Sequence, residues 1–152
     1  MSEGEKIIAT NRKAYFNYEI LEKFEAGLCL MGSEVKSLRE GKANLSDAYA
    51  MIQNDEVFLH NCHISAYANA GPFNHEPLRT RKLLLNRREI EKLTGKTQEK
   101  GLALIPIRLY FKRGRAKVEL GLGKGKKLYD KRETIKKREQ DREARQAMKK
   151  RR

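Results

Sequence analysis

The chain has 152 residues, of which 36% are charged and 39% hydrophobic, with no Trp and a formal net charge of +14 at pH 7. That length suits one domain, or one domain with an arm, and the excess of charge over the roughly 25% of ordinary domains points to a polyanionic partner such as nucleic acid. No apolar run approaches the ~18 residues of a membrane span, the N-terminal stretch has no signal-peptide core, and two cysteines are too few for a disulfide framework, so Cys29 and Cys62 read as reduced thiols and the predicted setting is cytoplasmic.

Ser2–Ile8 reads as a frayed lead-in, and Asn11 is placed to cap one or two helical turns. Tyr18–Met31 is expected to be extended, with a bulge or bend at Gly27. Ser33 is a candidate N-cap for a helix over Glu34–Arg39 that Gly41 can end. Asn44–Gln53 reads as a strand with Ala48, Ala50 and Ile52 on one face. Asn54-Asp55 then turns the chain into a returning strand over Glu56–Ile64. Gly71, Pro72 and Pro77 make 65–77 a loop. Asn86 and Glu89 have capping-box spacing, which predicts a helix with Ile90 and Leu93 inward and a stop at Gly95. Leu102–Phe111 is a predicted strand with Ile105, Ile107, Leu109 and Phe111 on one face. Pro106 lacks an N–H, so this strand is expected to be an edge or to bulge there. After a turn at Arg113-Gly114, Ala116, Val118, Leu120 and Leu122 give the last strand an apolar face, with Lys117 and Glu119 opposite. Five or six short antiparallel strands with two or three short helices predict a mainly β domain, a small closed or nearly closed barrel.

From Lys124 onward the chain carries 14 Lys/Arg against 5 Asp/Glu, so most of its net charge lies in this tail. We therefore divide the chain into a body over 1–123 and a basic tail over 124–152. Gly123 and Gly125, between Lys124, Lys126 and Lys127, read as a hinge whose backbone can also approach phosphates. Asp130 with Glu133, Glu133 with Lys137, and Asp141 with Arg145 support a helix. Ile135 lies opposite Ala144 and Met148, however, so that helix has no apolar stripe for docking on the body or on a membrane. The tail is expected to be disordered when free and helical when laid on phosphates. The body adds a second basic region. Arg79, Arg81 and Lys82 precede the leucine run, Arg87 and Arg88 follow it, and Arg12 and Lys13 adjoin Tyr15, Phe16 and Tyr18. His60, His63 and His75 form no nucleophile–base set, and neither a phosphate loop nor a second pair of metal ligands is present. The pattern predicts an RNA adaptor with two RNA-facing surfaces, not an enzyme, and without cofactor or metal. A structural ribosomal protein with a basic extension has the same composition.

Three strings carry a resemblance over nearly the whole chain: NRKAYFNYEILEKFEAGLCLMGSEVKSLREGKANLSDAY from Asn11, RTRKLLLNRREI from Arg79 and GKGKKLYDKRETIKKRE from Gly123. They resemble the SsrA-binding (SmpB) protein family, the partners of transfer-messenger RNA. The resemblance implies an oligonucleotide-binding (OB-like) β-barrel with flanking helices. It implies that the protein, a monomer in its complex, holds the tRNA-like domain of that RNA. The two enter the vacant A site of a stalled ribosome together with elongation factor Tu. The tail would then reach the decoding centre and fold in the empty mRNA channel, in place of codon–anticodon pairing. By motif, Asn11, Glu25 and Leu84 match positions associated with RNA binding. Lys126, Lys127, Asp130, Lys131 and Arg132 match the tail's junction motif, with Lys136 and Lys137 following in the same string, and Met148 matches the distal Met. The sequence departs at Tyr129, where some members have His, and at Ala147, where some have a larger aliphatic residue.

Overall fold

Phe24, Ala26 and Leu28 alternate with polar or small neighbours along an eleven-residue strand, and their buried side chains lie in the core at the middle of the sheet. In this computed structural model, which describes residues 5–99, 101–126 and 135–143, nine strands and three short helices build the body. In chain order they are β1 (Glu5–Thr10), α1 (Ala14–Asn17), β2 (Tyr18–Leu28), α2 (Gly32–Arg39), β3 (Ala43–Asn44), β4 (Tyr49–Gln53), β5 (Glu56–His60), β6 (His63–Ile64), β7 (Arg81–Leu84), α3 (Arg87–Thr97), β8 (Leu102–Lys112) and β9 (Arg115–Gly125). Seven strands form one antiparallel sheet in the order β1-β8-β9-β2-β7-β5-β4, and β3 pairs with β6. The sheet curls until Cα atoms of its last strand, β4, come within 8 Å of β8. A cleft of about 510 Å³ opens between those two strands. The architecture is the mainly β, antiparallel barrel with short helices that the sequence predicts.

Leu38 of α2, Leu93 of α3 and the strand residues Val57, Leu59, Leu83, Leu109, Val118 and Leu120 meet in one core, each at most 1% exposed. Burying a side chain of this size contributes about 1.5–3 kcal/mol. Two sharp turns fix the hairpin registers. Asn54 and Asp55 (φ 50° and 61°) join β4 to β5, and Arg113 and Gly114 (φ 52° and 77°) join β8 to β9. The Asn86 side chain accepts from Glu89 N–H at 2.9 Å, which starts α3 as its capping-box spacing predicts.

The strand registers shift at three places, one of them in β1 between Ile7 and Ala9. The β2–β9 register shifts between Ile20 and Glu22, which leaves Leu21 half exposed, whereas Gly27 pairs regularly with Lys117. The β8–β9 register shifts between Pro106 and Arg108. This bulge in β8 accommodates a proline inside an interior strand, because β8 lies between β1 and β9. It also splits the predicted apolar face. Leu109 joins the main core, while Ile105 and Ile107 pack outside it with Ala14, Tyr18 and Ile20. That outer packing needs bare backbone beneath it. A Cβ on Gly121 would lie 2.7 Å from Ile107 Cδ1, and one on Gly123 would lie 2.6 Å from Ile105 Cδ1.

Local chemistry displaces several predicted boundaries. The N-terminal lead-in is a strand from Glu5, because Lys6 and Ile7 pair with Phe111 and Tyr110. Ser33 lies inside α2 and bonds His75 Nδ1 at 2.8 Å, so the chain enters α2 through Met31 instead, whose N–H donates to Glu34 Oε1 at 2.8 Å. The stretch 44–53 is broken by a turn in which Asn44 Oδ1 accepts from Ser46 N–H. Asn61 (φ 56°) breaks the return strand, and α3 runs through Gly95 to Thr97. Strand β9 continues past Gly123 to Gly125, and Lys126 N–H then bonds Asn17 C=O at 2.9 Å.

An ion cluster ties α2 to β7. The side chains of Glu34 and Arg81 are both 0% exposed. Arg81 Nε donates to Glu34 Oε2, Arg81 Nη1 to Cys62 C=O at 2.6 Å and Arg81 Nη2 to Pro77 C=O at 3.1 Å. Arg79 Nη2 donates to Glu34 Oε1 at 2.5 Å. Burial pushes the Glu34 carboxyl up, but hydrogen bonds from Arg79, Met31 N–H and Arg81 outweigh it and hold the group below the usual carboxylate range.

Two predictions follow from this packing. Glu34→Gln leaves a buried guanidinium without its counter-charge and should cost about 3–5 kcal/mol in urea unfolding. A depressed folded-state carboxyl contributes stability above the unfolded-state value of about 4.3 and loses it as pH falls through the folded value. The acid side of the stability–pH curve should therefore flatten in Glu34→Gln. Gly121→Ala should cost about 1–3 kcal/mol by overpacking Ile107 and Ile20, read from the same unfolding curves.

Candidate nucleic-acid interface

The register that buries Ala26, Val118 and Leu109 turns Glu25, Gly27, Lys117, Glu119, Arg108 and Tyr110 to the opposite face of β2, β9 and β8. Leu84 of β7 pairs with Gly27 and continues that face, half exposed. Because Gly27 has no side chain, Leu84 and the Lys117 ammonium crowd over its backbone: a Cβ there would stand 3.4 Å from Leu84 Cβ and 3.8 Å from Lys117 Nζ. Lys82 and Phe58, paired between β7 and β5, extend the same surface.

Polar contacts link the α1 side of this face to its open end. Lys23 Nζ lies 5.4 Å from the Tyr15 ring centroid and 3.5 Å from Glu119 Oε1. Arg108 Nε donates to Glu119 Oε2 at 2.5 Å and Arg108 Nη1 to Glu5 Oε2 at 3.3 Å. The Arg108 guanidinium carbon sits 4.2 Å from the Tyr110 ring centroid, a cation–π stack. Tyr110 O–H donates to Glu25 Oε2 at 2.5 Å, and Lys112 Nζ donates to the same oxygen at 3.3 Å. Glu25 and Glu119 stand opposite each other in register, a like-charge pairing that Lys112, Lys23 and Arg108 offset. The hydrogen bond from Tyr110 is the main cause that holds the Glu25 carboxyl below its ordinary range, with Lys112 and Lys117 acting the same way against burial. Burial and the bond to Glu25 push the Tyr110 phenol well above its ordinary value.

The structure thus brings Glu25 and Leu84 onto one face, with Lys112 and Lys117 beside them. It separates the predicted basic cluster. Lys82 is exposed and pairs with Glu56 at 3.4 Å, Arg79 is half-buried against Glu34, and Arg81 is fully buried. Arg81 is therefore corrected from a phosphate-facing residue to a structural one: every contact of its guanidinium lies inside the body. Asn11 is buried as well, and its side chain does not cap α1. Its Nδ2 donates to Pro106 C=O at 3.1 Å, and its N–H bonds Ile107 C=O at 2.7 Å, which secures the corner between β1 and the β8 bulge. Arg12 and Lys13 are exposed ahead of α1. Arg108, Tyr110 and Lys112 join this face without having been predicted from the sequence. The spacing i, i+2, i+4 after the bulge puts them on one face, a signal that becomes legible only once the bulge at Ile107 is located.

At the start of the tail, Lys124 is exposed opposite Glu19, and Lys126 Nζ donates to Tyr15 C=O at 2.8 Å. Residues 135–143 are helical and exposed, Lys136 and Lys137 among them, and Arg138 approaches the Phe16 ring to 5.9 Å. Lys127, Tyr129, Asp130, Lys131, Arg132 and Met148 lie outside the described residues. Among the described residues no His, Cys, Asp or Glu gather in a metal-binding group of three, and no helix is long and apolar enough to cross a membrane. Burial pushes the Cys62 thiol up to about 11.

A family model described as SmpB protein matches residues 8–150. The SsrA-binding protein of Syntrophobacter fumaroxidans is 60% identical over 151 residues, covering 99% of this chain and 94% of that relative. The SsrA-binding protein of Geobacter sulfurreducens is 61% identical over 145 residues, covering 95% of each. A solved chain described under "tmRNA-SmpB: a journey to the center of the bacterial ribosome" is similar with a TM-score of 0.65 at 48% identity, over 78% of this chain and 84% of that one.

Leu84 is 52% exposed, so Leu84→Glu should change unfolding stability by no more than about 0.5 kcal/mol. A further carboxylate on the face of Glu25 should nevertheless weaken binding of RNA about tenfold, measured by filter binding beside a thermal melt.

Proposed function

The chain belongs to the SmpB protein family, and from that premise we propose that it is the RNA-binding adaptor of trans-translation. It binds the tRNA-like domain of transfer-messenger RNA and delivers it to the A site of stalled ribosomes, so that incomplete peptides are tagged and the ribosome is released. The observation that carries this reading is the outer face of β2, β7, β8 and β9. There a fixed carboxylate, an exposed leucine and lysines lie together on rigid strands of a barrel.

Lys82, Lys112 and Lys117 attract phosphates, Leu84 offers an apolar seat for a base or ribose, and Glu25 accepts hydrogen bonds that phosphates cannot give. Arg12 and Lys13 extend the contact past α1. The body sets where the tail begins: β9 ends at Gly125 and Lys126 is bonded to α1, so the tail leaves from a defined point beside Tyr15. From there its cations, Lys127, Lys131, Arg132, Lys136 and Lys137 with Tyr129, Asp130 and distal Met148, engage the decoding centre and the empty mRNA channel. A helix exposed on every side, as 135–143 is, suits a channel walled by RNA phosphates better than an apolar groove. The adaptor works in the cytoplasm as one copy per RNA, in a delivery complex that includes elongation factor Tu, and catalyses no reaction itself.

Ending the chain after Lys126 keeps the whole barrel and its bond to Asn17. This truncation should hold affinity for the tRNA-like RNA within about threefold while peptide tagging on stalled ribosomes disappears, and its log K against log salt should be shallower by roughly 0.7–0.9 for each phosphate contact that left with the tail. Lost RNA binding with tagging intact would reverse the assignment of the two surfaces.

A further inference from the structure

Glu25 places a negative charge on the surface proposed to hold a polyanion, and a purely structural acceptor there would not need to be charged. Its environment indicates what the charge does. Tyr110 is 1% exposed and its hydroxyl donates a hydrogen bond to Glu25 Oε2. The ring beneath that hydroxyl is held by Arg108, which Glu119 and Glu5 fix in turn. Lys112 bonds the same oxygen, Oε2, so both donors converge on one side of the carboxylate. Among the described residues no donor bonds Oε1, and the Glu25 side chain is 40% exposed.

We infer, on the adaptor reading of this face, that Tyr110 is a positioning residue for RNA recognition. It locks Glu25 so that Oε1 accepts one hydrogen bond from an RNA donor, either a ribose 2′-hydroxyl or an exocyclic base amine. Tyr110 itself does not touch the RNA, because its hydroxyl is buried under Glu25 and its ring under Arg108. A carboxylate free to rotate would lose rotamer entropy on binding, whereas one already tethered at Oε2 presents Oε1 in a single direction. Tyr110 and Lys112 also keep the group ionised, and an ionised acceptor makes the stronger hydrogen bond. The face would thus discriminate by a donor that phosphate lacks, on top of an attraction that any RNA satisfies.

The test is a cycle of wild type, Tyr110→Phe, Glu25→Ala and the double variant, each bound to the tRNA-like domain of transfer-messenger RNA. Phe keeps the buried ring, and a thermal melt of each variant checks the fold. Tyr110→Phe should weaken binding about tenfold with Glu25 present and less than about twofold in the Glu25→Ala background. Wild-type affinity in Tyr110→Phe, or an equal loss in both backgrounds, would overturn the positioning role while leaving the adaptor reading intact. Pools of the same RNA carrying sparse 2′-deoxy substitutions, or inosine and purine riboside for G and A, then identify the donor. One site should impair binding to wild type yet be silent toward Glu25→Ala, and the pool containing it says whether the donor is a hydroxyl or an amine. No such site in either pool would overturn the Oε1 acceptor. Wild-type protein that prefers this RNA no more than an unrelated one would overturn the adaptor reading and the inference with it.

Discussion

The buried pairing of Glu34 with Arg81 and Arg79 is the contact on which the rest of the body depends. Arg81 opens β7, and β7 joins β2 to β5. Its guanidinium also reaches Cys62 C=O just before β6 and Pro77 C=O at the end of the long loop, and Glu34 collects Met31 N–H at the start of α2. One carboxylate and one guanidinium, both fully buried, therefore fix a helix, two strands and a loop in a single cluster, with half-buried Arg79 at its edge. Such a cluster tolerates little change, because either charge alone in that setting is far costlier than the pair. It also places Leu84, three residues after Arg81 on the same short strand, against Gly27. That half-exposed leucine owes its position to an ion pair on the inner side of its own strand.

A second constraint comes from the period-two alternation of strands and its interruptions in β2 and β8. The bulge at Leu21 and the bulge at Ile107 shift the outer face of the same three strands into two halves. In one half Ile20, Ile105 and Ile107 lie over Gly121 and Gly123 and are covered by Ala14 of α1. In the other half the residues in equivalent positions are Glu25, Glu119, Arg108 and Tyr110, and Leu84 is half exposed. Without the bulges, one alternation would carry the apolar set straight across the face. With them, α1 packs at one end, a polar ladder crosses the middle, and an open surface remains at the other.

Much of this was legible in the sequence where the signal is local. The turn at Asn54-Asp55, the capping box at Asn86 and Glu89 and the inward run Val118, Leu120, Leu122 depend on neighbours within a few residues, and each stands where the sequence put it. The errors fall where a distant partner decides. Ser33 is a good cap by type, but a buried bond to His75 claims its hydroxyl. Gly27 marks close approach by Leu84 instead of a bulge, and Gly95 carries no stop: α3 runs on to Thr97, whose hydroxyl bonds Leu93 C=O. Arg81 is the instructive case. Three cations within four residues looked like one basic patch, yet alternation sends Arg81 inward and Lys82 outward, and only the buried Glu34 of α2 makes the inward one tolerable. Tyr110 was invisible as a site residue because its role depends on Glu25, which is distant in sequence.

The charge distribution explains why body and tail need different recognition chemistry. The tail holds a net +9 from Lys124 onward, while the residues before it share only +5 over a much larger surface. Cations in that density bind any phosphate backbone, strongly at low salt and weakly at high salt, with no preference for sequence or shape. Alone, the tail would settle on whatever RNA is most abundant. The body counters this by cancelling most of its own charge: Arg108, Lys23, Lys112 and Lys82 each face a carboxylate. What remains there is directional, a fixed acceptor, a half-exposed leucine and lysines restrained by partners, and such contacts are less sensitive to salt than to geometry. On the adaptor reading, selectivity is thus concentrated where the scaffold is rigid, and the non-selective charge is carried on the segment from Lys124 onward.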